Sequence, residues 1–277
     1  MSLSSDIKTM KLYPEAERIF RDLESVGISK NEPINVDLLS SFDQLHYHGV
    51  ETVLNCITTL NINSNDNVLE IGSGWGGPAR YIADRTNAHV VALELQKEYH
   101  EVGLNLTKRC GLHNHVEHTC IDFLNYNLST EYFDKIVSWL ALYHIPDRAK
   151  TCQKMYSLLK PGGRIFIEDL VAQDLNANVD WNSLKENLFS NSLILTSECI
   201  YHLEKVGFKI ESQENMTSQW LEFTKNRLQD FLNGQVHFTK LHNPQLFNQI
   251  EQFYQKIVEY FEVKAIGGVR LICSRPL

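Results

Sequence analysis

Residues 66–83 read DNVLEIGSGWGGPARYIA. The apolar run from Val68 to Ile71 ends in Gly72-Ser73-Gly74-Trp75-Gly76-Gly77, and a stretch compatible with a helix opens at Pro78. Proline is favoured in a first helical turn, where its missing N–H has no intrahelical partner in any case. Glycines let the chain turn sharply and let a ligand lie against the backbone without a Cβ in the way. Strand, glycine turn and helix together predict a nucleotide-binding βα unit, a pattern also used by dinucleotide enzymes.

The same rhythm extends outward. Apolar HVVALEL (89–95), HVEHT (115–119), FDKIVSW (133–139) and RIFIEDLV (164–171) alternate with helical PARYIADR (78–85), KEYHEVGLNLTKRC (97–110) and a helix from Pro146 to Leu159, which the turn KPGG (160–163) follows. Such alternation predicts an α/β fold: a Rossmann-like, seven-stranded, mostly parallel sheet with helices on both faces. Beyond Leu170 the rhythm breaks into a polar, irregular segment. A helix is then expected at about 197–206, a strand at FKIES (208–212), two long helices over 216–263 and a final strand within GGVRLICSRP (267–276). Before the core, Val50, Val53, Leu54, Ile57 and Leu60 recur at helical spacing after Gly49. The expected organisation is an N-terminal lid and helix over 1–60 and one domain over 61–277. Insertions at about 172–195 and 215–264 add a helical lid on the acceptor side.

Composition narrows the function. The 277 residues carry 26 Lys plus Arg against 34 Asp plus Glu, a net charge of −8. That balance, without a basic block, argues against a nucleic-acid partner. Apolar runs fall far short of the roughly 18–20 residues that cross a bilayer, and the start lacks an apolar signal core. A soluble cytoplasmic chain, monomer or homodimer, is expected. Cys56, Cys110, Cys120, Cys152, Cys199 and Cys273 form no CxxC pair, which fits reduced thiols. His113, His115 and His118 alternate across a predicted strand and so cannot readily meet on one ion; no metal site is expected.

Three acids give the glycine turn its meaning. Glu70 precedes it, Glu94 ends the second predicted strand, and Asp122 follows the third in HTCIDF (118–123). Carboxyl ends of parallel strands are where open sheets bind ligands, and a strand-end carboxylate can accept both hydroxyls of a ribose. Each acid alone is equally compatible with an ordinary solvated strand end; the three together in order are not. A dinucleotide places its pyrophosphate at the helix N-terminus, whereas S-adenosylmethionine (SAM) carries a sulfonium and an α-amino group and tolerates an acid beside the turn. The order E-x-G-x-G-x-G-G favours SAM.

VLEIGSGWGGPARYIA, VVALEL, CIDF, FDKIVSWLALYHI and LLKPGGRIFIEDL, spanning about 67–170, resemble the successive motifs of class I SAM-dependent methyltransferases. The resemblance implies SAM held by Glu70, Gly72 and Gly74 near its methionine end, with Glu94 and Leu95 at the ribose. It places Asp122, Ile121 and Phe123 at the adenine and Ser138 and Trp139 on the methionyl side, and Trp75 is expected to wall the pocket. S-adenosylhomocysteine would be the product.

SSFDQLHYHGVETVLNCI (40–57) resembles the lid of small-molecule N-methyltransferases, including the phosphoethanolamine and sarcosine/dimethylglycine enzymes, with weaker similarity over 180–235. The resemblance puts Tyr47, which would also touch the cofactor, His48 and Gly49 at the lid and His144 beside the acceptor. His144 and Tyr47 are therefore the catalytic candidates, with Tyr143 assisting. His144 would take a proton from the amine or hold a polar group of the acceptor, and aromatic faces suit methylammonium groups. The competing reading for Tyr143, Trp139, Trp181 and Trp220 is packing, and for His46 and His48 capping of the lid helix. Leu140 stands where the phosphoethanolamine enzymes carry an acid, and 189–198 lacks their arginine, which counts against a phosphobase. The expected acceptor is the nitrogen of a small amine, sarcosine/dimethylglycine-like or another. The rivals are O- or C-methylation of a natural product or lipid, N-methylation of phosphoethanolamine, and a SAM-binding module without catalysis.

Overall fold

The computed structural model describes residues 14–127 and 130–277; the first 13 residues of the expected N-terminal lid lie outside them. Three helices come first: α1 (Arg18–Ser25), α2 (Val36–Asp43) and α3 (Gly49–Leu60). The alternating core follows as β1 (Asn67–Ile71), α4 (Gly77–Thr86), β2 (His89–Glu94), α5 (Lys97–Arg109), β3 (Val116–Cys120), β4 (Phe133–Trp139), α6 (Arg148–Leu158) and β5 (Leu159–Ala172). The remainder comprises α7 (Trp181–Leu188), α8 (Thr196–Lys205), β6 (Lys209–Asn215), α9 (Thr217–Asn233), α10 (Gln235–Leu241), α11 (Pro244–Glu262) and β7 (Ile266–Ser274).

The strands form one seven-stranded sheet in the order β3-β2-β1-β4-β5-β7-β6. All pairs up to β4–β5 are parallel, and β7 runs antiparallel to both neighbours. The central strands bury both faces, which is why they read as unbroken apolar runs. Leu69, Ile71, Val91, Ile136 and Ile167 face α6 and α8 through Cys152, Met155, Leu158, Cys199 and Leu203. Val68, Val90, Ala92, Val137 and Phe166 face α3 and α4 through Val53, Cys56, Ala79, Ile82 and Ala83. A third apolar cluster joins α7, α9 and α11 to Tyr47 and Tyr143.

The structure departs from expectation in three places. The polar 172–195 segment contains α7, which begins because the Asp180 carboxylate caps the N–H of Asn182 at 3.0 Å. The expected pair of helices over 216–263 is three, because the chain breaks at Gly234 and again at Asn243, whose side chain caps Leu246 N at 2.7 Å. KPGG is absorbed into the start of β5, with Gly162 at φ +76° and its N–H on the Arg275 carbonyl at 2.9 Å.

Helix α9 docks on β7 through one close contact. A Cβ at Gly268 would lie 2.2 Å from Trp220 Cε3, and Trp220 is fully buried. Gly268→Ala should destabilise the fold by about 1–3 kcal/mol, the usual cost of overpacking. A lower urea midpoint, read from tryptophan fluorescence, checks it; an unchanged midpoint contradicts the contact.

Candidate active site

The glycine turn is shaped by backbone hydrogen bonds before any ligand enters. The N–H groups of Gly72 and Ser73 both donate to the Leu93 carbonyl, at 3.0 and 2.9 Å, which ties the end of β1 to the end of β2. Gly72 has φ +77°, and a Cβ there would lie 2.3 Å from that of Ala141. Glycine is therefore required both for conformation and for space.

A cleft opens along the carboxyl ends of β1, β2 and β4, enclosing about 1310 Å³ including its mouth. Glu70, Gly72, Gly74, Glu94, Leu95, Ile121, Asp122, Phe123, Trp139, Tyr47 and His144, all expected from the sequence, line it. Glu94 Oε2 accepts the Gly74 N–H at 2.8 Å and Oε1 the Gln96 N–H at 2.7 Å. Burial raises its pKa, against the pull of those backbone donors. Asp122 caps the turn after β3, accepting from Leu124 N at 2.9 Å and Asn125 Nδ2 at 3.0 Å. Glu70 is short of partners: its Oε2 is buried without a hydrogen bond. Burial pushes its pKa up to about 8, although the Arg80 charge and a backbone hydrogen bond with Ala79 pull it down. A buried carboxylate oxygen in want of a donor suits a cationic group. The α-ammonium of SAM is such a group, so the residues present fit this cofactor: Glu70 for the methionine end, Gly72 and Gly74 for close approach, Glu94 for the ribose and Asp122 with Phe123 for the adenine.

Two expected cofactor contacts are corrected. Trp75 turns away from the cleft: its indole N–H donates to the Ala16 carbonyl at 3.0 Å, and its ring stacks on Tyr99 at 5.5 Å and lies under Arg18. It fastens α1 to the glycine turn. Ser138 is likewise behind the cleft, its Oγ donating to the Ile71 carbonyl at 3.0 Å. His48 stands at the N-cap position of α3 with φ +59° but makes no side-chain capping hydrogen bond, its ring packing on Phe223 at 4.7 Å, and His118 bonds Thr107 Oγ1 at 2.8 Å; neither lines the cleft. Among the described residues, no group of three or more His, Cys, Asp or Glu could hold a metal ion.

Opposite the cofactor residues, Tyr47, Tyr143 and His144 share the wall with Leu140, Leu170, Phe253 and Ile257. His144 Nδ1 lies 2.9 Å from the Phe189 carbonyl. A carbonyl can only accept, so Nδ1 carries the proton and Nε2 the lone pair. Burial lowers the His144 pKa to about 4, only partly offset by that hydrogen bond. His46, bonded to the Gly49 carbonyl at 3.0 Å, is also held to about 4 by burial. Both rings are thus neutral near pH 7. Tyr47 packs edge-on against Trp220 at 5.1 Å, beside Phe223 and under the Arg227 guanidinium.

Sequence reasoning missed Asp43, Arg80 and Gln96. Asp43 lines the cleft and is salt-bridged to Arg80 at 2.8 Å, with both side chains no more than 3% exposed. The quoted motifs contain both residues, but nothing local links positions 37 apart in sequence.

Residues 44–270 match the mycolic acid cyclopropane synthetase family. Among curated proteins, the methyltransferase GfsG of Streptomyces halstedii is 29% identical over 134 residues, 48% of each chain. The chain thus spans about half the length of that relative, and less of others it matches. Among solved structures, a phosphoethanolamine N-methyltransferase 2 from Haemonchus contortus, in complex with phosphomonomethylethanolamine and S-adenosylhomocysteine, superposes with a TM-score of 0.79. It is 19% identical, over 93% of this chain and 60% of that one. A putative sarcosine dimethylglycine methyltransferase from Galdieria sulphuraria gives 0.71 at 15% identity, over 82% and 84%. The family match, together with the seven-stranded sheet and the glycine turn flanked by Glu70 and Glu94, identifies the chain as a member of the mycolic acid cyclopropane synthetase family of SAM-dependent methyltransferases.

Proposed function

We propose that this chain transfers the methyl group of SAM to the nitrogen of a small amine that carries no net negative charge. The observation behind this reading is the ionisable lining of the cleft: carboxyls on the cofactor side and neutral His46 and His144 on the acceptor side, among the described residues. A phosphate or carboxylate on the acceptor calls for charge-assisted donors, and among the described residues no Lys or Arg lines the cleft. An amine meets aromatic faces at Tyr47 and Tyr143, which favour a cationic methylammonium product.

SAM, when bound, supplies an electrophilic methyl on a sulfonium. The chain contributes positioning and the exclusion of water, the main sources of rate for an in-line displacement. His144, with a pKa near 4, does not store the amine's proton at neutral pH. Its Nε2 accepts a hydrogen bond from the acceptor N–H, so that the nitrogen lone pair faces the methyl carbon. The amine therefore reacts from its unprotonated form.

A second reading rests on Leu140, Leu170, Phe253 and Ile257, which together offer an apolar wall. An acceptor with an apolar body, methylated on oxygen or carbon, would seat there. A panel of amines, phenols and unsaturated lipids, scored by release of S-adenosylhomocysteine, separates the two; turnover of only the uncharged non-amines would replace the first reading. Six free cysteines, four of them buried, support a reducing compartment such as the cytoplasm. Among the described residues, no helix is long and apolar enough to cross a membrane.

Gly74→Arg should abolish SAM binding, because a long side chain would enter a turn where even a Cβ lies 3.0 Å from Leu45 Cδ1; unchanged affinity by calorimetry would contradict the cofactor site. His144→Ala should lower kcat by about 10²-fold, the scale of misplaced reactants, and leave SAM affinity intact. The Glu70 carboxyl is mostly protonated at pH 7 and would be pulled down by the cofactor's ammonium, so binding should release about one proton per SAM. Calorimetry in buffers of different ionisation enthalpy reads that proton, and Glu70→Gln should remove it.

A further inference from the structure

Behind the acceptor wall, the segment after α7 is laced to the short 3-10 turn Leu142–His144. Phe189 receives the His144 Nδ1–H at 2.9 Å. The Tyr143 carbonyl accepts from Asn191 N at 3.1 Å and Ser192 N at 2.9 Å, and Asn191 Nδ2 donates to the His144 carbonyl at 2.9 Å. Phe189 itself has φ +49°. A bulky residue stays in that region only where its surroundings hold it.

Arg148, the first residue of α6, holds it. Its Nε donates to Ser192 Oγ at 3.2 Å, and its Nη2 donates to the Ser192 carbonyl at 3.2 Å and to Asp169 Oδ2 at 3.0 Å. Asp169, near the end of β5, also takes a backbone hydrogen bond from Tyr143. The side chains of Arg148 and Asp169 are 7% and 2% exposed, and neither lines the cleft. A buried ion pair of this kind often adds no stability over an apolar replacement, so stability is a weak account of its presence. It grips both strands of the lacing at once.

We infer that Arg148 and Asp169 are positioning residues for methyl transfer: they clamp 189–192 onto the 142–144 turn so that the Phe189 carbonyl fixes His144 as the Nδ1–H tautomer, with Nε2 as acceptor. The inference rests on the reading above, in which His144 meets the methyl acceptor. Without the clamp, Phe189 relaxes, its carbonyl leaves Nδ1, and the imidazole samples the other tautomer and other ring angles.

The test uses the full chain saturated with S-adenosylhomocysteine. Long-range proton–nitrogen NMR of the histidine rings should show His144 as Nδ1–H in the wild type and as a mixture in Arg148→Met. S-adenosylhomocysteine affinity should stay within about twofold, since the altered contacts lie on the acceptor side. Arg148→Lys should restore part of the wild-type signal. Asn191→Ala, at a half-buried position outside the ion pair, should shift the tautomer too, and it decides the matter together with Arg148→Lys if Arg148→Met does not fold. With any amine found active in the panel, Arg148→Met should lower kcat about 10- to 100-fold with the KM for SAM unchanged. An Nδ1–H tautomer undisturbed in the variants overturns the inference. Full turnover in His144→Ala would instead overturn the acceptor reading and leave the tautomer result standing.

Discussion

One buried guanidinium organises the cofactor half. Arg80 has no solvent exposure and bonds Asp43 Oδ2 at 2.8 Å, Thr107 Oγ1 at 3.0 Å and the Gly103 carbonyl at 3.3 Å. It thereby joins α2, α4 and α5 around the glycine turn. Its charge acts further: it opposes the upward shift of Glu70 and, after burial, helps press the His118 pKa down to about 3. Burial still raises Asp43 despite the bridge. Removing one member of such a pair leaves an unpaired buried charge, which costs about 3–5 kcal/mol. The glycine turn and the segment that follows α2 therefore share one electrostatic fastening.

The two walls of the cleft solve opposite problems. At the carboxyl ends of β1 and β2, the carboxyls of Glu70 and Glu94 are buried, and Glu70 keeps one oxygen without a hydrogen-bond partner. On the acceptor side, burial strips His46 and His144 of charge and leaves them as dipoles of fixed orientation. The cleft thus sets buried carboxyls at one end against neutral imidazoles at the other. Leu140, at φ +52° directly after β4 with its N–H on the Glu168 carbonyl at 2.7 Å, marks where the two meet.

The cofactor half was legible because parallel strands buried on both faces leave apolar runs, and functional acids stand out where those runs stop. Glu70, Glu94 and Asp122 line the cleft at such stops, and β1, β2, β4 and β5 are such runs, whereas β3 and the edge strand β6 are largely exposed or half-buried and were legible only from their place in the order of elements. Side-chain direction was not legible. Trp75 sits in the glycine turn, yet its indole answers a carbonyl 59 residues away, and no pattern around it records that. Ser138 was misplaced for the same reason, because a residue at a strand end points either to the cleft or to its neighbour. The break at Gly234 and the caps at Asp180 and Asn243 were local signals that periodicity over 172–264 obscured. The Arg148 clamp depends on contacts spanning 21 and 44 residues, and folding alone assembles them.

The short run from Asp43 to Tyr47 has a consequence for how ligands come and go. Asp43 is locked to Arg80, and three and four positions later His46 and Tyr47 line the same cleft. Arg227 grips the same run from α9 through the His46 carbonyl at 2.9 Å. Both ends of the cleft therefore hang on one five-residue segment. Any coupling that this segment transmits between ligands is reciprocal, each returning to the other the factor it imposes.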